Sequence, residues 1–219
     1  MNKNLLAAAL LSVVAAGAMA QSAFEGAYGQ LGIGYESMSP QITQTTLTGG
    51  GYNNLPLTSN IGTAGSIAGT ATIGYTFAID KNLMLGIGGE YSPLNSNSVN
   101  DSFSYSGTTL ITGTAKKQNA YNFFIAPGVM VGKDGMAYAK LGYTGTSIKT
   151  GTGNTYNLTG YSMGLGYKQF ISGSIYGFAE TNYASYSNTS ANSTVSGYAL
   201  GNTISANSYN FLLGVGYKF

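Results

Sequence analysis

Six charged residues recur at the same position of an alternating side-chain pattern, and they are the first candidates for chemistry in this sequence. Each lies on the opposite face of its segment from the neighbouring apolar side chains: Glu36, Glu90, Lys140, Lys168, Glu180 and Lys218. Carboxylates and amines that are enclosed together are tolerated when they pair and are hydrogen-bonded. We therefore predict that these residues form a polar interior plug, with a narrow conducting path as the alternative.

The sequence has few side chains that are suited to acid–base catalysis or to metal binding. The chain has no His and no Cys, whereas enzymes that activate a hydroxyl or a water near neutral pH most often use a histidine. Asp101 is the only acid within a long polar connection. The triplet Gly49-Gly50-Gly51 is followed by Tyr52-Asn53 rather than by the Lys-Ser/Thr of a phosphate-binding loop. We expect neither enzymatic activity, nor a metal site, nor a bound cofactor.

The charged residues lie on segments in which apolar and polar side chains alternate, as in a β-strand with two different faces. In the last segment, Tyr209, Phe211 and Leu213 share one face, and Ser208 and Asn210 share the other. Eight segments show this alternation: 30–36, 67–79, 83–91, 121–131, 137–144, 161–168, 175–183 and 208–219. The sequence therefore predicts an all-β fold with eight antiparallel strands.

The connections between these segments alternate in length. Three are short and contain turn-forming residues, at 80–82, 132–135 and 171–173. Four are long and rich in Ser, Thr, Asn and Gly, at 38–65, 93–117, 146–157 and 188–206. Short turns at one end and long loops at the other are typical of an up-and-down transmembrane β-barrel. We expect both termini at the short-turn end, which faces the periplasm in such barrels.

The composition indicates that the apolar face meets lipid. Only 7% of the residues are charged, against about 25% in soluble domains, and no segment after residue 20 has the ~20 apolar residues of a membrane-spanning helix. A chain that enters lipid without helices must close into a barrel, because its backbone groups need internal partners.

Nine tyrosines near segment ends predict aromatic girdles, with ordinary β-propensity as the alternative: Tyr28, Tyr35, Tyr91, Tyr121, Tyr143, Tyr167, Tyr183, Tyr209 and Tyr217.

The first twenty residues have the pattern of a secretory signal peptide. Lys3 is followed by an apolar run at 5–16, and the small residues Ala18 and Ala20 precede Gln21. The apolar run is too short for a retained transmembrane anchor. We predict a signal peptide at residues 1–20, cleavage before Gln21, and one barrel domain at residues 21–219.

The final residues carry a family resemblance. Phe219 has an aromatic residue, Tyr217, two positions before it, and Gly214 precedes both. With the eight alternating segments, this ending resembles the small eight-stranded outer-membrane β-barrels of the OmpX, Ail and OmpA type. The resemblance implies a location in a Gram-negative outer membrane and contact with lipopolysaccharide and phospholipid. It also implies that Gly214, Tyr217 and Phe219 form a signal for the outer-membrane assembly machinery. Leu212 departs from the polar residue that is frequent in this family.

The sequence favours a structural or surface-interaction role, similar to that of an adhesin or an immune-evasion protein, exerted through four long extracellular loops. A host or surface ligand would then bind the loops; polar loops without a dedicated partner are the alternative. A porin-like channel for small solutes is a second hypothesis, and an outer-leaflet lipid-modifying enzyme is a remote third. The net charge of +2 provides no basic surface for nucleic acid.

Overall fold

The computed structural model describes residues 23–151, 153–195 and 197–219. This part of the chain is almost entirely β-structure. The strands are β1 Gly26–Gly49, β2 Tyr52–Ile61, β3 Ala64–Ala78, β4 Leu83–Ser92, β5 Val99–Tyr105, β6 Thr108–Val131, β7 Gly135–Thr150, β8 Thr155–Ser172, β9 Ile175–Val195 and β10 Tyr198–Lys218. No helix within these residues is long and apolar enough to span a membrane. The predicted signal peptide and its cleavage site lie outside the described residues.

The sheet closes on itself because β10 pairs with β1. This ladder runs antiparallel from Tyr28 opposite Lys218 to Thr48 opposite Ala199. Around the ring the neighbours are β1, β3, β4, β6, β7, β8, β9 and β10, and every pairing is antiparallel. Closure leaves no unpaired edge in this ring, which satisfies the backbone groups that lipid would otherwise leave without partners.

The predicted count of eight strands was wrong by two, because β2 and β5 lie within regions that were predicted as loops. β2 continues β3 in the same register against β1, since Met38 pairs with Ala64 and Thr45 pairs with Leu57. β5 likewise pairs with β6 beyond the end of β4, and it also pairs with β2. The topology therefore departs from a simple eight-stranded meander.

The four regions that were predicted as long loops are mostly strand, so this prediction was wrong. The chain turns tightly at 50–51 and 106–107, and among the described residues it leaves the ladder at 62–63, 93–98, 151, 153–154 and 197. Their Thr-rich composition is compatible with strands, because β-branched side chains suit a pleated surface. We call residues 39–61, 99–118, 147–151, 153–158, 187–195 and 197–206 the extension, because they prolong the ring at the end opposite the three short turns.

Side-chain polarity inverts between the ring and the extension. In the ring, most large apolar residues face outward, as predicted, and are exposed at the surface: Leu31, Ile33, Ile67, Ile73, Ile87, Phe123, Ile125, Leu141, Leu165, Phe211, Leu213 and Val215. Met84, Phe124, Met136, Phe178 and Leu212 are the exceptions, because they are buried inside the ring. In the extension, Leu47, Leu57, Phe103 and Leu200 are instead buried together inside. The ring thus has the polarity of a barrel in lipid and the extension that of a barrel in water.

Two β-bulges change which side chains face inward. The β1–β10 register shifts between Thr43 and Thr46, and the β6–β7 register shifts between Gln118 and Ala120. Gln44 and Asn119 have positive φ at these points. Because an extra residue reverses the alternation, inward positions are even-numbered before Gln44 and odd-numbered after it.

The predicted girdle is partly correct. Three tyrosine pairs lie directly opposite one another on neighbouring strands: Tyr91 with Tyr121, Tyr143 with Tyr161, and Tyr183 with Tyr209. Tyr28 does not belong to a girdle, because its side chain is buried inside the barrel. Tyr28 lies on the inward face of β1 together with Glu36, as the alternation requires. It was assigned to a girdle only because it is aromatic and near the end of a segment.

Candidate functional site

The interior of the ring contains a charge cluster centred on Lys140. Its Nζ atom donates hydrogen bonds to Glu180 Oε1 at 2.8 Å and to Glu90 Oε2 at 2.9 Å. The three residues come from β7, β9 and β4, which closure of the barrel brings face to face. Lys140 is only 1% exposed, so both carboxylates interact with a fully enclosed cation. The structure therefore brings together three of the six predicted interior residues.

Neutral groups supply the remaining hydrogen bonds of this cluster. The Tyr138 hydroxyl donates to Glu180 Oε2 at 2.7 Å, and Asn182 Nδ2 donates to Glu180 Oε1 at 2.8 Å. Thr72 Oγ1 donates to Glu90 Oε2 at 3.2 Å. Buried charges are tolerated in such an arrangement, because several donors replace the water that each carboxylate has lost.

Lys168 is buried next to the cluster, and its neighbours are aromatic. Its Nζ lies 4.1 Å from the ring centroid of Tyr28, 5.0 Å from that of Tyr138 and 5.3 Å from that of Tyr176. Among the described residues, no carboxylate lies within ion-pair distance of this amine. Cation–π attraction from three ring faces thus takes the place of the ion pair that we expected.

Glu36 forms a second polar contact nearer the extension, and its partner was missed by the sequence analysis. Lys117 Nζ donates to Glu36 Oε1, and the Ser208 hydroxyl donates to the same atom. Lys117 was assigned to a polar loop and, by strict alternation from Tyr121, would face outward. The bulge at Asn119 turns it inward. The preference of Asn for positive φ was the one available signal, and it is weak.

Lys218, the sixth predicted residue, lies apart from both clusters. It is half-buried at the end of β10, and it forms no ion pair with any described residue. Three aromatic side chains close this end of the barrel: Phe24 and Phe170 have ring centroids 4.4 Å apart, and Tyr176 packs against both. The structure therefore places five of the six residues inside the ring and Lys218 at its rim.

The packed ring interior leaves little free space. Two cavities lie between the polar layers, with volumes of about 40 Å³ beside Glu36 and about 10 Å³ beside Lys168. Spaces of that size hold isolated waters. Within the described residues, no group of three or more acidic, His or Cys side chains is arranged to hold a metal ion.

The extension contains a much larger, partly open cavity of about 900 Å³. Its walls combine apolar side chains with a few polar ones, including Ile42, Ile148, Ile204, Asp101 and Asn202. The sequence analysis missed this cavity, because it treated the contributing segments as separate loops. The volume falls within the range of small-molecule sites, which is about 300–1,000 Å³.

The outer surface of the extension carries exposed apolar side chains near its turns. Tyr52 begins β2, Tyr105 ends β5 and Leu110 lies near the start of β6, and each is about half exposed. Lys116 and Lys149 are paired across β6 and β7. Thr, Ser and Asn make up most of the remaining surface, which is therefore polar but weakly charged.

The three residues of the predicted assembly signal lie on the last strand. Gly214 faces the interior next to Phe178, whereas Tyr217 and Phe219 are exposed on the outer face, with their ring centroids 5.3 Å apart. Two exposed aromatic rings at the end of the strand leave this motif accessible from outside. Its recognition by the assembly machinery remains an expectation.

Comparison with solved structures identifies the fold. OprG from Pseudomonas aeruginosa matches with a TM-score of 0.54 and 14% identity over 91% of this chain and 99% of that chain. Neisserial surface protein A matches with a TM-score of 0.51 and 14% identity over 89% and 98%. Ail of Yersinia pestis aligns at 19% identity over 89% and 99%, with a TM-score of 0.41.

No protein-family model matches the sequence, and the comparison with curated proteins finds no significant match. The structural likeness and the apolar outer band point to the same class of protein. The chain has the fold of the small outer-membrane β-barrels and is a protein of the Gram-negative outer membrane.

Proposed function

We propose that this protein is a surface-interaction barrel whose extension binds a partner outside the cell. The observation that carries the proposal is that the strands continue past the lipid-facing band and enclose an apolar core of their own. A ladder that continues into the extension holds its turns in fixed positions, unlike flexible loops. Binding sites are often carried by loops on a rigid scaffold.

The packed ring interior supports this role over solute passage. The ion pairs centred on Lys140 and Glu36 cross the lumen at two levels, and the aromatic cluster at Phe24 lies below both. Eight strands enclose an interior that side chains can fill. The ring then serves as an anchor, and the part of the molecule that meets other molecules is the extension.

The surface chemistry suggests the kind of contact. Tyr52, Tyr105 and Leu110 are apolar groups on a polar and nearly neutral surface. Aromatic side chains are enriched at protein interfaces, and a weakly charged surface gives little electrostatic steering. We therefore expect a protein partner that is bound through apolar and hydrogen-bonding contacts, with little dependence on salt.

The test is adhesion by cells that express the protein. The variants are the single substitutions Tyr52→Ser, Tyr105→Ser and Leu110→Ser, which preserve the hydrogen-bonded strands of the extension. Deletion of residues 41–62 would instead remove strand β2. We expect each substitution to reduce binding to immobilised extracellular-matrix and serum proteins at least several-fold. Ile79→Ser, an exposed residue at the opposite end of the barrel, is the matched control and should bind like the unsubstituted protein.

Folding is monitored by the gel-mobility shift between unheated and heated samples, so that loss of binding is separated from loss of structure. Unchanged adhesion in a variant that combines all three substitutions, with the folded form intact, would overturn the proposed contact surface. A planar-bilayer recording tests the closed lumen separately: the proposal expects no steady single-channel steps, and their presence would support the narrow-channel alternative instead.

A further inference from the structure

The cavity in the extension lies between two apolar clusters. Below it, Ile148, Ala191 and Ile204 belong to a core that includes Met38 and Leu158. Above it, Leu57, Phe103 and Leu200 form a second core with Leu47. Phe103 and Leu200 line the cavity from this upper side. A partly open space of about 900 Å³ with this lining offers an apolar molecule a favourable transfer from water.

Two polar oxygens on the cavity wall have no partner. Asp101 Oδ1 and Asn202 Oδ1 are both buried, and neither accepts a hydrogen bond from any described residue. Each residue lies two positions from a buried residue on its strand, Asp101 from Phe103 on β5 and Asn202 from Leu200 on β10, and therefore shares its inward face. Unpaired acceptors of this kind are costly in a protein interior, and a ligand with hydrogen-bond donors would satisfy them.

The local backbone accommodates the Asp101 carboxylate. Asp101 pairs with Gly113 on β6, and a Cβ atom on Gly113 would lie 2.5 Å from Asp101 Oδ1. Any larger residue at position 113 would therefore displace the carboxylate from its place on the wall. The absence of a side chain there keeps the acid beside the cavity.

No cation of the described chain neutralises this carboxylate. The buried Lys117 pairs with Glu36, and Asp101 takes part in none of the ion pairs among the described residues. Lys116 and Lys149 neighbour the inward-facing residues Ala115 and Ile148 in sequence, so their own positions alternate to the outer face. Partial burial raises the pKa of Asp101 above its ordinary value, as expected for a carboxylate without a counter-ion.

We propose that the extension cavity binds a small amphipathic cation, a primary amine attached to an apolar chain or ring. The ammonium group donates hydrogen bonds to Asp101 and Asn202, and the apolar part contacts Ile42, Ile148 and Ile204. Asp101 is the only charged residue among the described residues that line the cavity, and a single negative charge selects a cationic head over a neutral or anionic one. This site is internal and is independent of the surface contacts in the proposed function.

The experiment uses the full protein in lipid nanodiscs with monodansylcadaverine, a fluorescent primary amine. Octylamine, 1-octanol and octanoate serve as competitors with the same chain length and different head groups. We expect octylamine to displace the probe best, and Asp101→Asn to weaken amine binding about 10- to 100-fold at neutral pH, the loss expected for a hydrogen bond to a charged group. Octanol should be little affected by that substitution.

Two further variants complete the test. Ala191→Leu adds bulk to the cavity wall and should reduce binding of amine and alcohol alike, while Asp134→Asn removes a charge from an exposed turn at the opposite end and should change neither. Equal affinity of the unsubstituted protein and Asp101→Asn for octylamine would overturn the proposal. So would amine binding that Ala191→Leu leaves unchanged in a correctly folded protein.

Discussion

Lys140 and Glu180 form an ion pair across the barrel, with Nζ and Oε1 2.8 Å apart, although their strands β7 and β9 are separated by β8. The same Nζ contacts Glu90 on β4. One side chain therefore connects three strands that share no ladder with one another. The cluster therefore ties together strands that are held next to one another only through β6 and β8, and it leads to the first prediction.

Lys140→Met should destabilise the protein strongly. The substitution leaves Glu90 and Glu180 enclosed without their cation, and breaking one partner of a buried charge pair costs about 3–5 kcal/mol. Urea unfolding in lipid vesicles, followed by the gel-mobility shift, measures the change in the free energy of unfolding.

A triple variant, Lys140→Met with Glu90→Gln and Glu180→Gln, removes the whole set of charges and serves as the comparison. It should be more stable than the single variant, because no uncompensated charge remains. If the single variant unfolded at the same urea concentration as the unsubstituted protein, the cluster would contribute nothing to stability.

Gly34→Ala should hinder closure of the barrel. A Cβ atom at this position would overlap the carbonyl oxygen of Phe211 on the neighbouring strand. Forcing extra atoms into a packed interior costs about 1–3 kcal/mol. Gly62→Ala is the matched control, because nothing lies within 4 Å of a Cβ at Gly62.

The two glycine variants are compared by thermal unfolding in the same detergent. Gly34→Ala should lower the midpoint of unfolding, and Gly62→Ala should leave it nearly unchanged. Equal midpoints would show that β1 and β10 are more widely spaced near Gly34 than the structure has them.

The inversion of polarity along β10 predicts opposite tolerance of a charge at two outward positions. Leu213→Lys places an amine in the lipid-facing band and should cost about 2–4 kcal/mol. Thr203→Lys lies on the same outer face but ten positions earlier, within the extension. A surface substitution there changes stability by about 0.5 kcal/mol at most. Urea unfolding in vesicles measures both, and similar losses would contradict the placement of the lipid boundary between them.

Amine binding in the extension should weaken as the pH falls. The pKa of Asp101 is raised by burial, so its carboxyl group takes up a proton at a higher pH than an exposed aspartate does. The neutral acid no longer attracts an ammonium ion, and affinity for octylamine is therefore expected to be full above the raised pKa and to fall below it. Among the described residues that line the cavity, Tyr156 is the only other one with an ionisable side chain.

Fluorescence titrations, in which octylamine displaces the probe at pH values above and below the pKa of Asp101, provide the measurement. Octanol, which carries no charge, is the control ligand, and its affinity should stay level. A parallel loss for octanol would indicate that acid changes the cavity itself rather than the charge of Asp101.

Local alternation was enough to predict much of the architecture. Leu213 and Gly214 fall on opposite faces of β10, and the same period of two placed Glu36, Glu90, Lys140, Lys168 and Glu180 inside, which is where the structure has them. The lipid-facing exterior followed from low charge together with this alternation. The alternation and the low charge depend only on the geometry of a single strand and on the solvent around it, so both can be inferred from the sequence.

Long-range pairing decided the remaining features. Lys117 faces Glu36 because a bulge at Asn119 reverses the alternation of β6. Two segments that were predicted as loops became β2 and β5 because neighbouring strands were there to pair with them. The extension cavity exists because these segments enclose a common space. Register shifts and strand extension depend on the hydrogen-bonding partner across the ladder, and that partner is determined only when the ring closes.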